Sequence, residues 1–160
     1  MIEINKNVFV GNSNDYEWNK FESDFYFLQA CKEPYHRQAL GYKGRSISDT
    51  HPEYLFAYRG NRLILNIVDT DSDKYFSNIL FEKSLDFIEY SQKKGNKILI
   101  HCNQGLSRSP SIGLLYLAVN NKISNHSFLD AEKDFVELYP DYAPKGIKSF
   151  LANNWQYFIK

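Results

Sequence analysis

Between residues 101 and 110 the chain reads His101-Cys102-Asn103-Gln104-Gly105-Leu106-Ser107-Arg108-Ser109-Pro110. Cys102 follows a short aliphatic run, Lys97 to Ile100, that reads as a buried strand. It precedes a segment, Ser109 to Asn120, apolar nearly all round, that reads as a central buried helix. A thiol at such a junction faces the positive end of a helix dipole and several unbonded N–H groups. That setting favours the thiolate, the nucleophilic form of cysteine. The loop Asn103, Gln104, Gly105, Leu106, Ser107 and Arg108 is short enough to curl its N–H groups around one anion. Gly105 permits the backbone geometry that such a curl demands. Arg108 brings a planar fork matched to two phosphoryl oxygens. Ser109 is expected as helix cap and Pro110 at the first helical position. A nucleophile, an oxyanion cradle and a charge clamp thus fall within one short loop. A cysteine beside a strand is more often just a small apolar residue, but the complete loop outweighs that reading.

The elements that position this loop follow from patterning. Val8–Val10 and the aromatic run Phe25–Leu28 suit strands, with a short helix over 15–21 between them. Arg62 to Val68 is aliphatic and reads as a third buried strand. A polar loop, Asp69-Thr70-Asp71-Ser72-Asp73, leads into a helix from Tyr75 to Lys94 that Gly95 ends. Two more helices are expected near 127–139 and 144–159. The stretch from Cys31 to Arg62 is the least regular, with a helical turn expected over 51–58; irregular spans of this length are often functional. Strands alternating with helices predict an α/β single layered domain over 1–160, its central sheet mostly parallel and flanked by helices.

Composition bounds the function. The chain has 160 residues, 43% hydrophobic and 24% charged, with 12 Tyr and 12 Phe, so it is expected to fold as a globular domain and not to be disordered. Nineteen basic and nineteen acidic residues cancel, which leaves no evident nucleic-acid binding surface. No apolar run reaches the roughly 18 residues of a membrane span, and the N-terminus lacks the pattern of a secretory signal. The two cysteines, Cys31 and Cys102, suit a reducing, cytoplasmic setting. Neither they nor the four histidines have the spacing of a metal site, so no metal is expected.

The His-Cys-x-x-Gly-x-x-Arg-Ser arrangement resembles the signature of the cysteine-dependent protein tyrosine phosphatase superfamily, in its compact dual-specificity branch. Asn7–Asn12 is similar to the opening strand of those domains. Asn66–Asp71 followed by Phe81–Ile88 is similar to their acid loop and following helix. The resemblance implies a protein tyrosine phosphatase-like fold and hydrolysis of phosphomonoesters through a phosphocysteine on Cys102, with Arg108 and the amides of 103–108 binding phosphate and no cofactor. It implies an aspartate as general acid and base. Asp69, Asp71 and Asp73 are the candidates, and Asp71, 31 positions before Cys102, best keeps the family's register. Asp69 would then be structural and Asp73 a helix cap. Ser109 is expected to assist departure of the sulfur, and His101 to orient the loop. Gln104 departs from the alanine common before the glycine, and 31–62 fits no standard template. Cys31 resembles the second cysteine that phosphoinositide phosphatases keep beside the nucleophile; it is a candidate redox partner, with a plain buried thiol as the alternative. The expected partner is a phosphorylated protein. Phosphoinositides, RNA 5′-phosphates and glycan phosphates are alternatives, and a catalytically dead phosphate-binding module is another. Lys32, Arg37, Lys43 and Arg45 give 31–62 a positive excess that would favour acidic substrates if it rims the pocket.

Overall fold

The computed structural model describes residues 1–160. Four parallel strands form the middle of a six-stranded sheet: β2 (Val8–Gly11), β6 (Lys97–His101), β3 (Phe25–Gln29) and β5 (Arg62–Leu65), in that spatial order. Antiparallel strands close both edges, β1 (Ile2–Asn5) beside β2 and β4 (Phe56–Arg59) beside β5. The sheet is therefore mostly parallel, as its buried aliphatic strands predict. Two expectations are corrected at the edges. Ile2–Asn5 is a strand that patterning passed over. Residues 56–59, of which 56–58 are expected within a helical turn, pair as a strand with β5 across a two-residue Gly60-Asn61 turn.

Side-chain alternation divides the sheet. Ile98 and Ile100 face the main core with α3 (Asn78–Lys93) and α4 (Arg108–Val119). Leu99 lies on the other face with Phe25, Phe27 and Tyr16, the last from α1 (Ser13–Asn19). On α4 every residue from Arg108 to Ala118 is buried, which explains its lack of a polar face. The helix begins two residues before the expected first position, so Ser107 and not Ser109 is the N-cap, and Pro110 falls in the first turn instead of opening it. A short kinked turn, Lys32–His36, and α2 (Arg37–Leu40) follow β3. The remaining helices are α5 (Phe128–Leu138), α6 (Gly146–Asn153) and α7 (Trp155–Phe158); the last two divide at Asn154 what the sequence reads as one helix. No helix is long and apolar enough to cross a membrane.

Candidate active site

All four parallel strands deliver their C-terminal ends to one place, the usual site of ligands on open α/β sheets. β6 ends at His101 and releases Cys102, β2 ends at Gly11, β3 leads to Cys31, and β5 leads to Ile67. The loop from Cys102 to Arg108 is held there by its carbonyls. The carbonyl of Asn103 accepts from the N–H and the hydroxyl of Ser13, at 3.2 and 3.1 Å. The Gly105 carbonyl accepts from the Tyr139 hydroxyl at 2.7 Å, and that of Leu106 from Ala143 N–H at 2.8 Å. Burial pushes the Tyr139 phenol up to about 12, so it keeps the proton it donates. The carbonyls therefore point outward. The N–H groups from Asn103 to Ser107 have no partner within the protein. Gly105 makes this turn with φ at +73°, and a Cβ there would sit 3.0 Å from the Gly11 carbonyl oxygen. Both facts select glycine.

Arg108 lies almost wholly within the protein, 5% exposed, beside this cradle. Its Nη1 donates to the Ile67 carbonyl at 3.0 Å and its Nη2 to Asn103 Oδ1 at 2.7 Å. Its Nε is buried and without a hydrogen-bond partner. Of five N–H bonds, three remain to meet an anion. Cys102 is 2% exposed, and its Sγ is 3.1 Å from Ser109 Oγ, which donates to the Gly11 carbonyl at 3.0 Å. A buried thiol, a fixed guanidinium and a ring of inward N–H groups thus converge where a tetrahedral oxyanion would fit.

His101 points away from this cradle. Its Nδ1 lies 3.3 Å from the Cys102 carbonyl and its Nε2 3.0 Å from Gln29 Nε2, while Tyr16 stacks on the ring with centroids 5.0 Å apart. Burial holds its pKa down at about 4, so the ring is neutral over most of the pH range and positions the loop without carrying charge. Cys31 is wholly buried and shares a small cluster with Cys102, Tyr35 and Ile64. Burial pushes its thiol well up, keeping it protonated.

A cavity of about 130 Å³ opens over the loop, lined among others by Cys102, Gln104, Arg108, Lys145 and Asp69. Gln104 is exposed at its mouth. Of the three aspartates, Asp69 faces this cavity. Its oxygens lie 3.1 Å from Lys145 Nζ and 4.0 Å from Arg108 Nε. Asp71 is exposed and lines no part of the cavity. The loop over 69–73 is clamped where the Thr70 carbonyl accepts from Gly146 N–H at 2.9 Å, and a Cβ on Gly146 would collide with the Ser72 carbonyl. Lys145, which also donates its N–H to Ser107 Oγ at 3.0 Å, was not anticipated. Nothing in the sequence marks it, because it reaches the site only through the turn between α5 and α6.

Residues 46–135 match the family model of the dual specificity phosphatase catalytic domain. Dual specificity protein phosphatase PHS1 of Arabidopsis thaliana is 36% identical over 77 residues, 48% of this chain and 8% of that protein. Dual specificity protein phosphatase 2 of Mus musculus is 31% identical over 137 residues, 85% of this chain and 36% of that protein. The chain thus spans only a minor part of the curated relatives it matches. In fold it is similar to the human tyrosine phosphatase-like serine/threonine/tyrosine-interacting protein, with TM-score 0.66 at 18% identity over 100% of this chain and 98% of that one. It is likewise similar to the Yvh1 phosphatase domain from Chaetomium thermophilum, with TM-score 0.62 at 19% identity over 98% and 94%.

Proposed function

The chain belongs to the dual specificity phosphatase catalytic-domain family, and we propose that it hydrolyses phosphomonoesters on proteins through a phosphocysteine formed on Cys102. The observation that carries this reading is the inward-turned loop. Its N–H groups and the Nε of Arg108, which makes no hydrogen bond within the protein, surround a buried sulfur and match the three equatorial oxygens of a phosphoryl group in transfer.

In the first step the sulfur attacks phosphorus in line with the leaving oxygen, and the P–O bond breaks as the S–P bond forms. Asp71 gives its proton to that oxygen. In the second step Asp71 takes a proton from water, whose oxygen attacks phosphorus and releases the sulfur as thiolate. Ser109 Oγ, beside the sulfur, donates a hydrogen bond to it as it leaves. Asp69 is the weaker candidate for the acid, because its oxygens are engaged with Lys145 and Arg108; Asp71 is exposed and free of ion pairs. Its assignment requires the acid loop to turn Asp71 toward Cys102 when substrate is bound.

Phosphate release from phosphotyrosine and phosphothreonine peptides tests the proposal. Cys102→Ser is expected to remove turnover by roughly 10⁴-fold or more, as loss of a nucleophile does. Release from neither peptide, with phosphoinositides and RNA ends also inert, would reduce the protein to a phosphate binder.

A second reading concerns regulation. The burial of Cys31 and Cys102 in one four-residue cluster supports a reversible disulfide between them under oxidation, in a protein that otherwise works in a reducing, cytoplasmic setting. Mild peroxide should remove two hydrogens from the chain, restored by thiol, and Cys31→Ser should instead leave Cys102 to over-oxidise irreversibly. Equal rates of irreversible oxidation in both proteins would refute the bridge.

A further inference from the structure

A second and larger cavity, about 450 Å³, adjoins the catalytic one. Its walls include Lys32, Ser46, Tyr54, Asn66, Lys74 and Ser77, and no acidic side chain lines it. The two cavities share a stretch of chain: Val68 lines the larger, and Asp69, the next residue, lines the smaller. They also share an anchor. The Ile67 carbonyl accepts both from Arg108 Nη1, at 3.0 Å, and from Lys32 N–H, at 2.9 Å. The chain at Val68–Asp69 is thus a wall common to the two cavities.

The chemistry of the lining is that of an anion site. Lys74 is exposed and in no ion pair, and Lys32 Nζ is held at the wall by the Arg45 carbonyl at 2.6 Å. The nearby acids Glu33 and Glu53 are already paired with Arg37 and Arg59, both at 2.7 Å. Ser77 Oγ is buried and without a hydrogen-bond partner, the same mark that Arg108 Nε leaves beside the phosphate cradle. A buried polar atom without a partner is uncommon and points to one supplied from outside.

We propose that this cavity is a second subsite, binding a carboxylate or phosphate that a peptide substrate carries beside its scissile phosphate. The inference rests on the phosphatase reading above. It is tested by fluorescence anisotropy with the Cys102→Ser protein and three labelled phosphotyrosine peptides: one flanked by Asp and Glu, one by a phosphoserine, one by neutral residues. The acidic or the doubly phosphorylated peptide is expected to bind about tenfold more tightly than the neutral one, the size of one charge-assisted contact. Lys74→Glu should bring that preference below about twofold, and salt should weaken it. Which of the two anionic peptides gains more tells carboxylate from phosphate. Equal binding of all three, or a preference that survives Lys74→Glu, overturns the subsite. Turnover of p-nitrophenyl phosphate by the unaltered protein judges the phosphatase reading separately. A preference without turnover would leave the subsite in a binding protein, and turnover without a preference would leave the enzyme without the subsite.

Discussion

The loop from Cys102 to Arg108 lines the smaller cavity and the segment from Cys31 to Asn61 lines the larger one, and the two are held in shape by opposite means. In the loop the backbone is fixed by its own neighbours in sequence, a strand behind and a helix ahead, and other residues merely catch its carbonyls. In the segment a few long polar side chains supply the donors that a ladder would otherwise provide. Arg37 reaches the carbonyls of Tyr42, Gly44 and Arg45 while gripping Glu33. His36, wholly buried, bridges the Tyr42 hydroxyl at 3.0 Å and the Glu53 carbonyl at 2.9 Å. Arg59 ties Glu53 to the Ala39 carbonyl. Irregular backbone near a site thus spends cations on itself. Of the segment's five cations, Arg37, Lys32 and Arg59 hold carbonyls, and Lys43 and Arg45 remain exposed. The segment joins the loop at one bond, Asn103 Nδ2 donating to the Glu33 carbonyl at 2.9 Å.

This contrast can be broken or sharpened. The largest effect is expected at the acid loop, which belongs to neither region. Asp71→Asn should slow turnover of a poor leaving group by about 10²- to 10⁴-fold, the usual worth of a general acid. With a good leaving group the loss should be smaller, since only the base step then needs Asp71, and Asp69→Asn should cost less on the poor leaving group. A larger loss in Asp69→Asn would move the acid to Asp69. On the loop side, His101 has its folded pKa lowered to about 4, from an ordinary value of 6.5. The unfolded chain therefore binds the extra proton first, and stability falls as pH drops from about 6.5 towards 4. The total is about 3 kcal/mol at 1.36 kcal/mol per pH unit. Urea unfolding across that range measures it, and in His101→Gln the decline should be shallower. On the segment side, His36→Phe strands the Tyr42 hydroxyl and the Glu53 carbonyl, at a cost of about 1–3 kcal/mol. Its turnover of p-nitrophenyl phosphate should stay within about twofold of the parent while hydrogen exchange over 42–55 accelerates. Loss of that turnover would mean that the two regions are one unit.

What the sequence revealed follows the same division. The apolar circumference of α4, the aliphatic β6 and the loop between them are adjacent in the chain, so pattern and spacing disclose them together. Edge strand β4 was misread because four residues, Phe56-Ala57-Tyr58-Arg59, carry too little periodicity, although Gly60-Asn61 is a recognisable hairpin turn. The grip of Arg37 on three carbonyls depends on a backbone path that no pattern encodes. Lys145 at the pocket and Tyr139 behind Gly105 come from the far end of the chain and arrive through packing alone. Asp71 matches the family register, whereas it is Asp69 that the structure turns toward Arg108.

A hydroxyl owns a single hydrogen, and that fact gives Ser109 a consequence beyond the pocket. With Cys102 as a thiol, sulfur can give its proton to Ser109 Oγ, which passes its own to the Gly11 carbonyl in a two-link relay. Once the sulfur is ionised the relay has lost its first proton. The hydroxyl must swing toward the negative charge, and the carbonyl at the end of β2 is released. The state of the nucleophile is then written into the backbone 98 residues away in sequence from Ser109, at the threshold of α1. An isotope-labelled carbonyl at Gly11 would act as a gauge of the charge on Cys102, read without touching the sulfur.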